Sequence, residues 1–415
     1  MSATRRQFLR NTISSGVGLG AARVLSAATT DTLPPVRALT SGPRFHWFAY
    51  YDKLQFDPAG RYALGMESSF EHRLPTPADR IQIGMVDTAE RDKWINLGES
   101  HAWCWQQGCM LQWLPGSDRE VVWNDREGDR FVCRVLNTRT GELRSLPAPI
   151  YALSPDGRTA IGCSFSRIWD VRPGYGYPGL VDPDRDDPTP SDSGVYSVDM
   201  RTGEQRLLVS VAQVLKIGKP FADWGQAKHY FIHLLFSPDG SRFIFLHRWR
   251  TPQKHAGTRM FTANADGSDI RLIDANGMTS HFIWRDERHI LAWSDQPSRG
   301  KRFYLFDDRG ERTPEPVGPE AMTVDGHCTY LPGNAWILND SYPDKLRNQS
   351  PYLYEVKTGR RVALGHFHSP PEYAGEWRVD THPRFSPDGK KVVIDSAHGG
   401  LGRQMYLIDI ARIVG

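Results

Sequence analysis

The sequence predicts an all-β fold, a seven-bladed β-propeller, from one turn motif, its repetition and its spacing. Residues 237–240 read Ser-Pro-Asp-Gly between two apolar, β-prone runs. Proline presets a turn conformation, aspartate bonds its own backbone and glycine accepts a left-handed conformation, so this stretch predicts a β-hairpin. The turn recurs, complete or degenerate, at residues 57–60, 114–116, 154–157, 285–287, 331–333 and 386–389. Seven hairpin units spaced roughly 40–80 residues apart are typical of propeller blades with loop insertions.

The first 30 residues predict a segment that is separate from this fold. Thr4-Arg-Arg-Gln-Phe-Leu-Arg10 resembles a twin-arginine export signal, and a weakly apolar, Gly-rich region follows it. Ser26, Ala27 and Ala28 then provide a cleavage site. A disordered basic tail is the alternative interpretation. We expect residues 1–30 to be removed and residues 31–415 to form a single propeller domain that is periplasmic or secreted.

The basic excess of the chain belongs to this segment. The sequence holds 51 Lys and Arg against 48 Asp and Glu, a formal net charge of +3. Taking away Arg5, Arg6, Arg10 and Arg23 leaves 47 basic residues against 48 acidic ones. The remaining balance gives no argument for nucleic acid or an anionic membrane as a partner. No apolar run of about 20 residues predicts a membrane span.

The cysteines bear on possible metal or redox motifs, and the closed fold bears on the oligomeric state. The five cysteines are an odd number without a Cys-x-x-Cys pair, which argues against a zinc finger or a thioredoxin-like motif. Pairing of Cys104 with Cys109 stays open. A closed propeller leaves no sheet edge for a partner to cover, so we expect a monomer.

Phe45-His-Trp-Phe-Ala-Tyr-Tyr-Asp52 opens the first hairpin unit. Its histidine and aromatic residues suit two roles. Aromatic faces stack on sugars, which favours a carbohydrate site. The same side chains suit the packing of the seam where the propeller closes, and the sequence does not choose between the two. The final strand, residues 403–410, is expected to pair beside the earliest strand and to close the ring.

Four of the seven hairpins carry a histidine four residues before the turn: His233, His281, His327 and His382. A single histidine in a strand is usually a satisfied core residue, but equivalent positions in a propeller line the central channel at one height. We therefore expect four imidazoles around one mouth of the channel. His281, His327 and His382, with Asp380 facing the same way two residues upstream, are the predicted ligands of a divalent metal, Zn²⁺ or Mn²⁺.

These features resemble the seven-bladed propeller polysaccharide lyases, a group that includes oligogalacturonate lyases and ulvan or rhamnose–glucuronate lyases. The resemblance is carried by the seven hairpins, by His233 and His247 flanking one turn, by Ser280-His-Phe-Ile-Trp284, and by His382-Pro-Arg-Phe-Ser-Pro-Asp-Gly389. It covers nearly the whole mature chain. The turn motif alone is shared with non-enzymatic TolB-like propellers. The resemblance implies β-elimination on an acidic polysaccharide or oligosaccharide.

The two branches of the group place their residues differently. Resemblance to oligogalacturonate lyases implies His233 as base and His281 and His382 as metal ligands. Their Gln/His cluster before the last histidine is replaced here by residues 377–380. Ulvan-type lyases use a tyrosine, an arginine on the following strand, and histidines from neighbouring blades. The matching residues here are Tyr151, Arg167, His101, Tyr230 and His247, so the ulvan or rhamnose–glucuronate branch is expected, with oligogalacturonate lyase as the alternative.

The implied reaction needs a carboxylate neutraliser, a base for the C5 proton and an acid for the leaving O4. Arginine suits the first role, and histidine or tyrosine suits the others. The prediction assigns Arg167 as neutraliser and Tyr151 as base and acid, with His101 or His233 assisting. An interblade salt bridge for Arg167 and a core position for Tyr151 are the structural alternatives. Three further residues, Gln107, Arg250 and Tyr175, are predicted to bind substrate.

Two other functions compete with the lyase interpretation. A non-catalytic TolB-like binding propeller would need no ring of histidines, and that feature argues against it. A metal-dependent hydrolase on the same scaffold is the second competitor. The sequence contains no Gly-x-Ser-x-Gly motif for a serine nucleophile. A convergent pair of glycosidase carboxylates stays open.

Overall fold

Seven four-stranded antiparallel sheets make up the part of the chain that the structure describes, so the predicted seven-bladed β-propeller is confirmed. The structure is a computed structural model that describes residues 32–48, 50–251 and 255–415. Leu33–Gly415 form one compact unit. The predicted export segment, residues 1–30, lies outside the described residues.

The first four blades use consecutive strands. The chain begins with β1 (Val36–Ala38). Blade 1 contains β2 (Phe45–Trp47), β3 (Tyr62–Ser68), β4 (Ile81–Asp87) and β5 (Lys93–Ser100). Blade 2 contains β6 (Gln112–Trp113), β7 (Glu120–Glu127), β8 (Arg130–Asn137) and β9 (Leu143–Leu146). Blade 3 contains β10 (Ala152–Leu153), β11 (Thr159–Gly162), β12 (Gly194–Asp199) and β13 (Gln205–Ser210). Blade 4 contains β14 (Lys228–Phe236), β15 (Arg242–Arg250), β16 (His255–Asn264) and β17 (Arg271–Asp274).

The last three blades complete the ring. Blade 5 contains β18 (Thr279–Trp284), β19 (His289–Gln296), β20 (Gly300–Asp307) and β21 (Glu315–Pro316). Blade 6 contains β22 (Thr329–Tyr330), β23 (Trp336–Asn339), β25 (Tyr352–Glu355) and β26 (Arg361–Ala363). A separate two-stranded ribbon joins β24 (Asn348–Gln349) to β27 (Phe367–His368). Blade 7 contains β28 (Arg384–Phe385), β29 (Lys391–Ser396) and β30 (Gln404–Asp409).

Short helices lie between the strands. The α-helices in the described residues are α1 (Phe165–Val171), α2 (Val211–Leu215) and α3 (Ala411–Val414). Two 3₁₀ turns cover Trp224–Gln226 and Gly375–Trp377. Helix α1 is inserted between the second and third strands of blade 3, where the sequence had predicted only strand and loop. In the described residues, no helix has both the length and the apolar character needed to cross a bilayer.

The ring closes through its two ends, as predicted. Strand β1 pairs antiparallel with β30, with Val36 opposite Ile408, and supplies the outermost strand of blade 7. His46 reinforces the seam between blades 1 and 7. Its Nδ1 lies 3.0 Å from Oε1 of Gln404 and its Nε2 lies 3.2 Å from Glu67. The seam is therefore the role of His46, rather than a carbohydrate site.

The Ser-Pro-Asp-Gly turns have the geometry that the sequence predicts. In the turn of blade 4, the Ser237 hydroxyl donates to Asp239 at 2.6 Å, and Gly240 has φ of 73°. The same serine-to-aspartate bond occurs in the turns of blades 3 and 7. A Cβ on Gly240 would come within 3.1 Å of Pro155, the proline of the neighbouring turn. The turns thus abut around the end of the channel opposite the histidines.

No disulfide bond stabilises the fold within the described residues. All five cysteines are free and buried. Cys104 and Cys109, whose pairing the sequence left open, are separate thiols. Burial raises the pKa of Cys104 to about 12, which keeps it protonated and unreactive.

Candidate active site

Three of the four predicted histidines come together at the central channel: His281 lies on the innermost strand of blade 5, and His327 and His382 lie two residues before the innermost strands of blades 6 and 7. The ring centroids of His281 and His327 are 4.1 Å apart, and those of His327 and His382 are 4.2 Å apart. A carboxylate oxygen of Asp380 lies 4.0 Å from Nε2 of His382. His327, Asp380 and His382 each offer one ligand atom within 4.8 Å of the others, and all three are buried. The fold therefore brings three of the four predicted metal-ligand residues within coordination reach of one another, and His281 adjoins them through His327.

Irregular backbone aims these side chains. The register of β18 against β19 shifts between Thr279 and Phe282, so His281 lies in a β-bulge. His382 has φ of 38°, in the left-handed region that non-glycine residues rarely adopt. Such a conformation persists only where surrounding contacts enforce it, and these conformations cluster at functional sites.

Carboxylates behind two of the histidines fix the orientation of their rings. Nδ1 of His281 lies 2.9 Å from Oδ1 of Asp325. Nδ1 of His327 lies 3.0 Å from both carboxylate oxygens of Asp340, which also accepts the His327 backbone N–H at 2.7 Å. Because Nδ1 of each ring is engaged, Nε2 is left as the ligand atom. Carboxylate-backed histidines of this kind are usual around protein-bound metals.

The residues of this cluster fit a divalent metal. Nε2 of His382 is buried and has no hydrogen-bond partner among the described residues. Burial and the nearby His327 hold the pKa of His382 well below its usual value, so its ring is neutral at pH 7. Metal ligands must be deprotonated, and a buried polar atom without a partner is costly unless something binds it. Imidazoles with one carboxylate suit Mn²⁺ or Zn²⁺.

His233 lies apart from this cluster, with Tyr50 between them. The Tyr50 ring stacks on His233 at 5.1 Å and meets His382 edge-on at 5.3 Å. The Tyr50 hydroxyl is 2.6 Å and Nε2 of Gln107 is 3.2 Å from Nδ1 of His233. Among the described residues, nothing hydrogen-bonds to Nε2 of His233. One nitrogen of the ring is therefore held by the protein and the other is open to a ligand.

Tyr151 lies beside His233 and holds its backbone. The Tyr151 hydroxyl accepts the His233 backbone N–H at 3.0 Å and donates to Oε1 of Gln107 at 2.9 Å. His233 has φ of 55° and lies where the register of β14 against β15 shifts, so its conformation depends on such support. Burial raises the pKa of Tyr151 well above its usual value, which makes it a weak source of a phenolate base. The geometry favours Tyr151 and Gln107 as positioning residues.

The charge around His233 favours its neutral form. Burial, followed by the positive charges of Arg248 and Arg172, holds the pKa of His233 well below its usual value. The ring is then a neutral imidazole at pH 7 and able to accept a proton. A buried neutral histidine with an open nitrogen is a suitable general base.

Two arginines near His233 have no acidic partner among the described residues. Arg248 is 7% exposed, its Nε is buried without a hydrogen-bond partner, and no ion pair includes it. Burial and the neighbouring Arg172 lower the pKa of Arg248. The Arg172 guanidinium lies 3.8 Å from the centroid of the Tyr175 ring. A buried guanidinium without an acidic partner, with a second one nearby, offers the charge and the N–H donors that bind a carboxylate.

Tyr175 connects these arginines to the metal-ligand cluster. Its hydroxyl accepts a hydrogen bond from Nη2 of Arg378 at 2.7 Å, and Nε of Arg378 donates to Asp380 at 2.8 Å. The Tyr175 ring lies edge-on to His233 at 5.9 Å. The predicted substrate-binding residue Tyr175 therefore lies between the unpaired arginines, His233 and Asp380.

Arg167 lies on helix α1, whereas the resemblance to ulvan-type lyases implied a position on a strand. It is 2% exposed. Its guanidinium pairs with Asp182 at 3.0 Å and donates to the backbone carbonyls of residues 184, 187, 188 and 229. These partners accept all the N–H groups of the Arg167 guanidinium, so none is left to bind a substrate carboxylate. Arg167 anchors the acidic loop that follows α1.

Strand alternation separates two more of the predicted residues. Tyr230 pairs across the sheet with Arg248, whereas His247 pairs with Phe231, so Tyr230 and His247 face opposite sides of blade 4. Tyr230 therefore shares the face of Arg248. Nε2 of His247 lies 3.0 Å from Nδ1 of His229, inside a buried aromatic group. His247 does not join His233, contrary to the prediction.

The remaining predicted residues lie further out. His101 follows β5, the outermost strand of blade 1, and its partly exposed ring approaches Asp125 at 3.7 Å. Outermost strands lie far from the channel, so His101 is not brought to the ring of histidines. Arg250 is half-buried at the end of β15, two residues beyond Arg248 and on the same face.

Four residues of the site were missed by sequence reasoning: Tyr50, Arg172, Arg248 and Arg378. Tyr50 lies in the aromatic stretch whose role the sequence left open. Arg248 could have been found from strand alternation, because it lies opposite Tyr230. Arg172 and Arg378 reach the site through loops, and their positions carry no periodic signal in the sequence.

The fold is shared with solved structures of low sequence identity. An oligogalacturonate lyase from Vibrio parahaemolyticus superposes with a TM-score of 0.64 at 16% identity, covering 92% of this chain and 94% of that one. A manganese complex of an oligogalacturonate lyase gives 0.66 at 16% identity, with the same coverage of 92% and 94%. A prolyl endopeptidase gives 0.52 at 10% identity, covering 90% of this chain and 49% of that one.

No family model and no curated protein matches the sequence. At these identities the superpositions establish the seven-bladed propeller fold and leave the activity to be argued from the site. The same architecture carries both a lyase and the propeller of a peptidase.

Proposed function

We propose that this protein is a metal-dependent lyase that cleaves a uronic-acid-containing oligosaccharide or polysaccharide by β-elimination. One observation carries the proposal: His233, neutral and with Nε2 open, lies beside two arginines that have no acidic partner among the described residues and near a cluster of metal-ligand residues. A base beside arginines that can bind a carboxylate is the arrangement that abstraction of a proton next to a carboxylate requires.

Each step of the reaction has a residue suited to it. Arg248 and Arg172 fork onto the C6 carboxylate of the uronate and neutralise it, which makes the C5 proton more acidic. Nε2 of His233 removes that proton in the tautomer whose Nδ1–H donates to the Tyr50 hydroxyl, while Tyr151 holds the backbone. The elimination then breaks the bond from C4 to O4 and leaves an unsaturated uronate.

His281, His327, His382 and Asp380 are the residues that would hold the metal. A divalent cation bound there supplies a Lewis acid that draws negative charge from a carboxylate oxygen. The manganese found with the structurally similar oligogalacturonate lyase supports Mn²⁺ as the first ion to test.

Oligogalacturonate is the first substrate to test, in place of the ulvan-like polymer that the sequence favoured. Both similar lyase structures act, by name, on oligogalacturonate. The residues that singled out the ulvan branch do not converge: Arg167 is committed to Asp182, His247 faces away from Tyr230, and His101 lies by an outermost strand. Ulvan and rhamnose–glucuronate polymers are the second set of substrates, and export as a monomeric periplasmic or secreted protein remains part of the proposal.

The proposal is tested by ultraviolet absorbance of the conjugated, unsaturated uronate. Purified protein is incubated with oligogalacturonate, ulvan and a rhamnose–glucuronate polymer, each with Mn²⁺ and with a chelator. The expected result is a rising absorbance on one substrate that the chelator suppresses and that His233→Gln abolishes. A flat trace from folded, Mn²⁺-loaded protein on all three substrates would reject the proposal.

A further inference from the structure

On the basis of the proposed lyase function, we propose that Tyr175 is the general acid that protonates the leaving O4. The sequence suggested Tyr175 only as a substrate-binding residue. The structure shows a buried hydroxyl that accepts a hydrogen bond from a cation and has no acceptor for its own O–H among the described residues.

The Tyr175 ring is fixed on two sides. Its face lies against the Arg172 guanidinium at 3.8 Å, and its edge lies toward His233 at 5.9 Å. Only 3% of the residue is exposed. The ring therefore lies between the proposed carboxylate site and the proposed base, beside a uronate that is bound to both.

The Tyr175 hydroxyl accepts a hydrogen bond from the protein but donates none among the described residues. Its oxygen accepts a hydrogen bond from Nη2 of Arg378 at 2.7 Å. Arginine has no acceptor atom, so this bond uses the oxygen and leaves the O–H proton unassigned. Among the described residues no acceptor takes that proton. The O–H of Tyr175 is therefore free to donate to an oxygen of a bound substrate.

Other tyrosines near the site differ from Tyr175 in this respect. The hydroxyls of Tyr50, Tyr51 and Tyr151 are engaged with His233, the Phe282 carbonyl and Gln107, respectively. Tyr230 and Tyr342 have no cation hydrogen-bonded to their hydroxyls. Tyr175 alone, among the tyrosines of the described residues that border this site, combines an available proton with a cationic hydrogen-bond donor.

Hydrogen bonds of the Gly174 backbone hold the loop that carries Tyr175 in place. The backbone N–H of Gly174 donates to Oε2 of Glu376 at 3.1 Å, and its carbonyl accepts from the Gln106 backbone at 3.1 Å. A Cβ at Gly174 would lie 2.1 Å from that Glu376 oxygen, so a larger residue here would displace the Glu376 side chain. This anchoring gives the hydroxyl the fixed position that proton transfer in a transition state needs.

The proposed step balances without a further reactant. His233 Nε2 takes the C5 proton, the electrons of that bond form the double bond between C4 and C5, and the bond from C4 to O4 breaks. O4 takes the Tyr175 proton and departs as a hydroxyl. The phenolate, held by Arg378, is then reprotonated from solvent as His233 returns its proton to solvent.

The test compares two leaving groups in Tyr175→Phe. On the natural glycan substrate, loss of the general acid is expected to lower kcat by about 10²–10⁴-fold. On a uronate that carries a 4-nitrophenyl ether at O4, the leaving phenolate needs no proton, and the variant is expected to retain kcat within about threefold of the wild type. Tyr177→Phe is the matched control, since it removes a buried hydroxyl from the same loop, one that hydrogen-bonds to Asn124 at 3.1 Å.

The outcomes separate the two proposals. A natural-substrate kcat of Tyr175→Phe within about threefold of the wild type overturns the role of Tyr175 while leaving the lyase function intact. An equal loss on both substrates also overturns it, because a purely structural role would affect both leaving groups alike. If the wild type makes no unsaturated product from either substrate, the lyase function itself falls, and the role of Tyr175 falls with it.

Discussion

The hydroxyl of Tyr50 lies 2.6 Å from Nδ1 of His233. Tyr50 comes from the loop after the innermost strand of blade 1, and His233 from the innermost strand of blade 4, so the contact crosses the central channel. The same ring also meets His382 at 5.3 Å. One tyrosine therefore separates the proposed base from the metal-ligand cluster and holds one nitrogen of that base.

The environment of His233 predicts an acid-tolerant enzyme. Burial and the charges of Arg248 and Arg172 lower the pKa of His233 well below 6.5, so the neutral, competent base persists on the acidic side of that value. The acid limb of kcat/KM should have its midpoint below pH 6.5. In Arg248→Gln a positive neighbour is lost, the pKa of His233 rises, and the limb should move to higher pH. A pH profile with a midpoint above 6.5, or a limb that moves to lower pH in the variant, would contradict this account of the base.

Arg248→Gln should also bind the substrate carboxylate more weakly than the wild type does. A charge-assisted bidentate contact contributes about 1.5–3 kcal/mol, so kcat/KM at the pH optimum of the variant should fall about 10- to 150-fold. Arg285→Gln provides the control, because Arg285 pairs with Asp286 in the hairpin turn of blade 5 and touches none of the site residues. Steady-state kinetics on the best substrate would measure both variants. Equal kinetics for Arg248→Gln and wild type would argue against a carboxylate site at this position.

The histidine cluster should bind one Mn²⁺ per chain after treatment with chelator. His382→Ala should abolish measurable binding, because it removes a buried ligand nitrogen that has no protein partner among the described residues. Asp340→Asn, which alters the carboxylate behind His327, should weaken affinity about 10–100-fold. Isothermal titration calorimetry would give both values.

The control for metal binding is His289→Ala. His289 is paired with Asp286 at 2.8 Å on blade 5, away from the cluster. The His289→Ala substitution should leave the affinity for Mn²⁺ unchanged. Wild-type protein that takes up no Mn²⁺, or a His289→Ala variant that loses it as His382→Ala does, would count against a metal site at His281, His327, His382 and Asp380.

Arg167 should matter for stability. Arg167→Gln leaves the buried carboxylate of Asp182 with Lys228 at 2.8 Å as its remaining charged partner and removes donors from several buried carbonyls. Breaking a buried pair of this kind should lower the free energy of unfolding by about 3 kcal/mol. Arg139→Gln, at an exposed pair with Asp118, should cost less than about 1 kcal/mol. Denaturant titration would compare them, and an equal effect for the two variants would refute the anchoring role.

The fold could be predicted because its signal is local. Each Ser-Pro-Asp-Gly turn is specified within four residues, as the Ser237 to Asp239 bond shows, and repetition of the turn gave the number of blades. The cluster of His281, His327 and His382 could also be predicted, since equal register places equivalent residues at one height. The helix that carries Arg167 could not, because it is an insertion that breaks the repeat.

The missed residues depend on contacts between distant parts of the chain. Tyr50 meets a histidine 183 positions away, and Arg378 reaches a tyrosine 203 positions away. The choice of Arg167 over Arg248 illustrates the same point. Both are buried arginines in apolar surroundings, and only the partners found in the structure distinguish an anchored arginine from an unpaired one.

The most direct test of the proposed chemistry is the mass of the cleavage products. Mass spectrometry of oligogalacturonate digested by the Mn²⁺-loaded protein distinguishes elimination from hydrolysis, because a lyase product is lighter by one water. The account predicts a new non-reducing end at the mass of the unsaturated uronate, absent from digests with His233→Gln. Cleavage products that all carry an added water would contradict it and would favour a hydrolase at the same site.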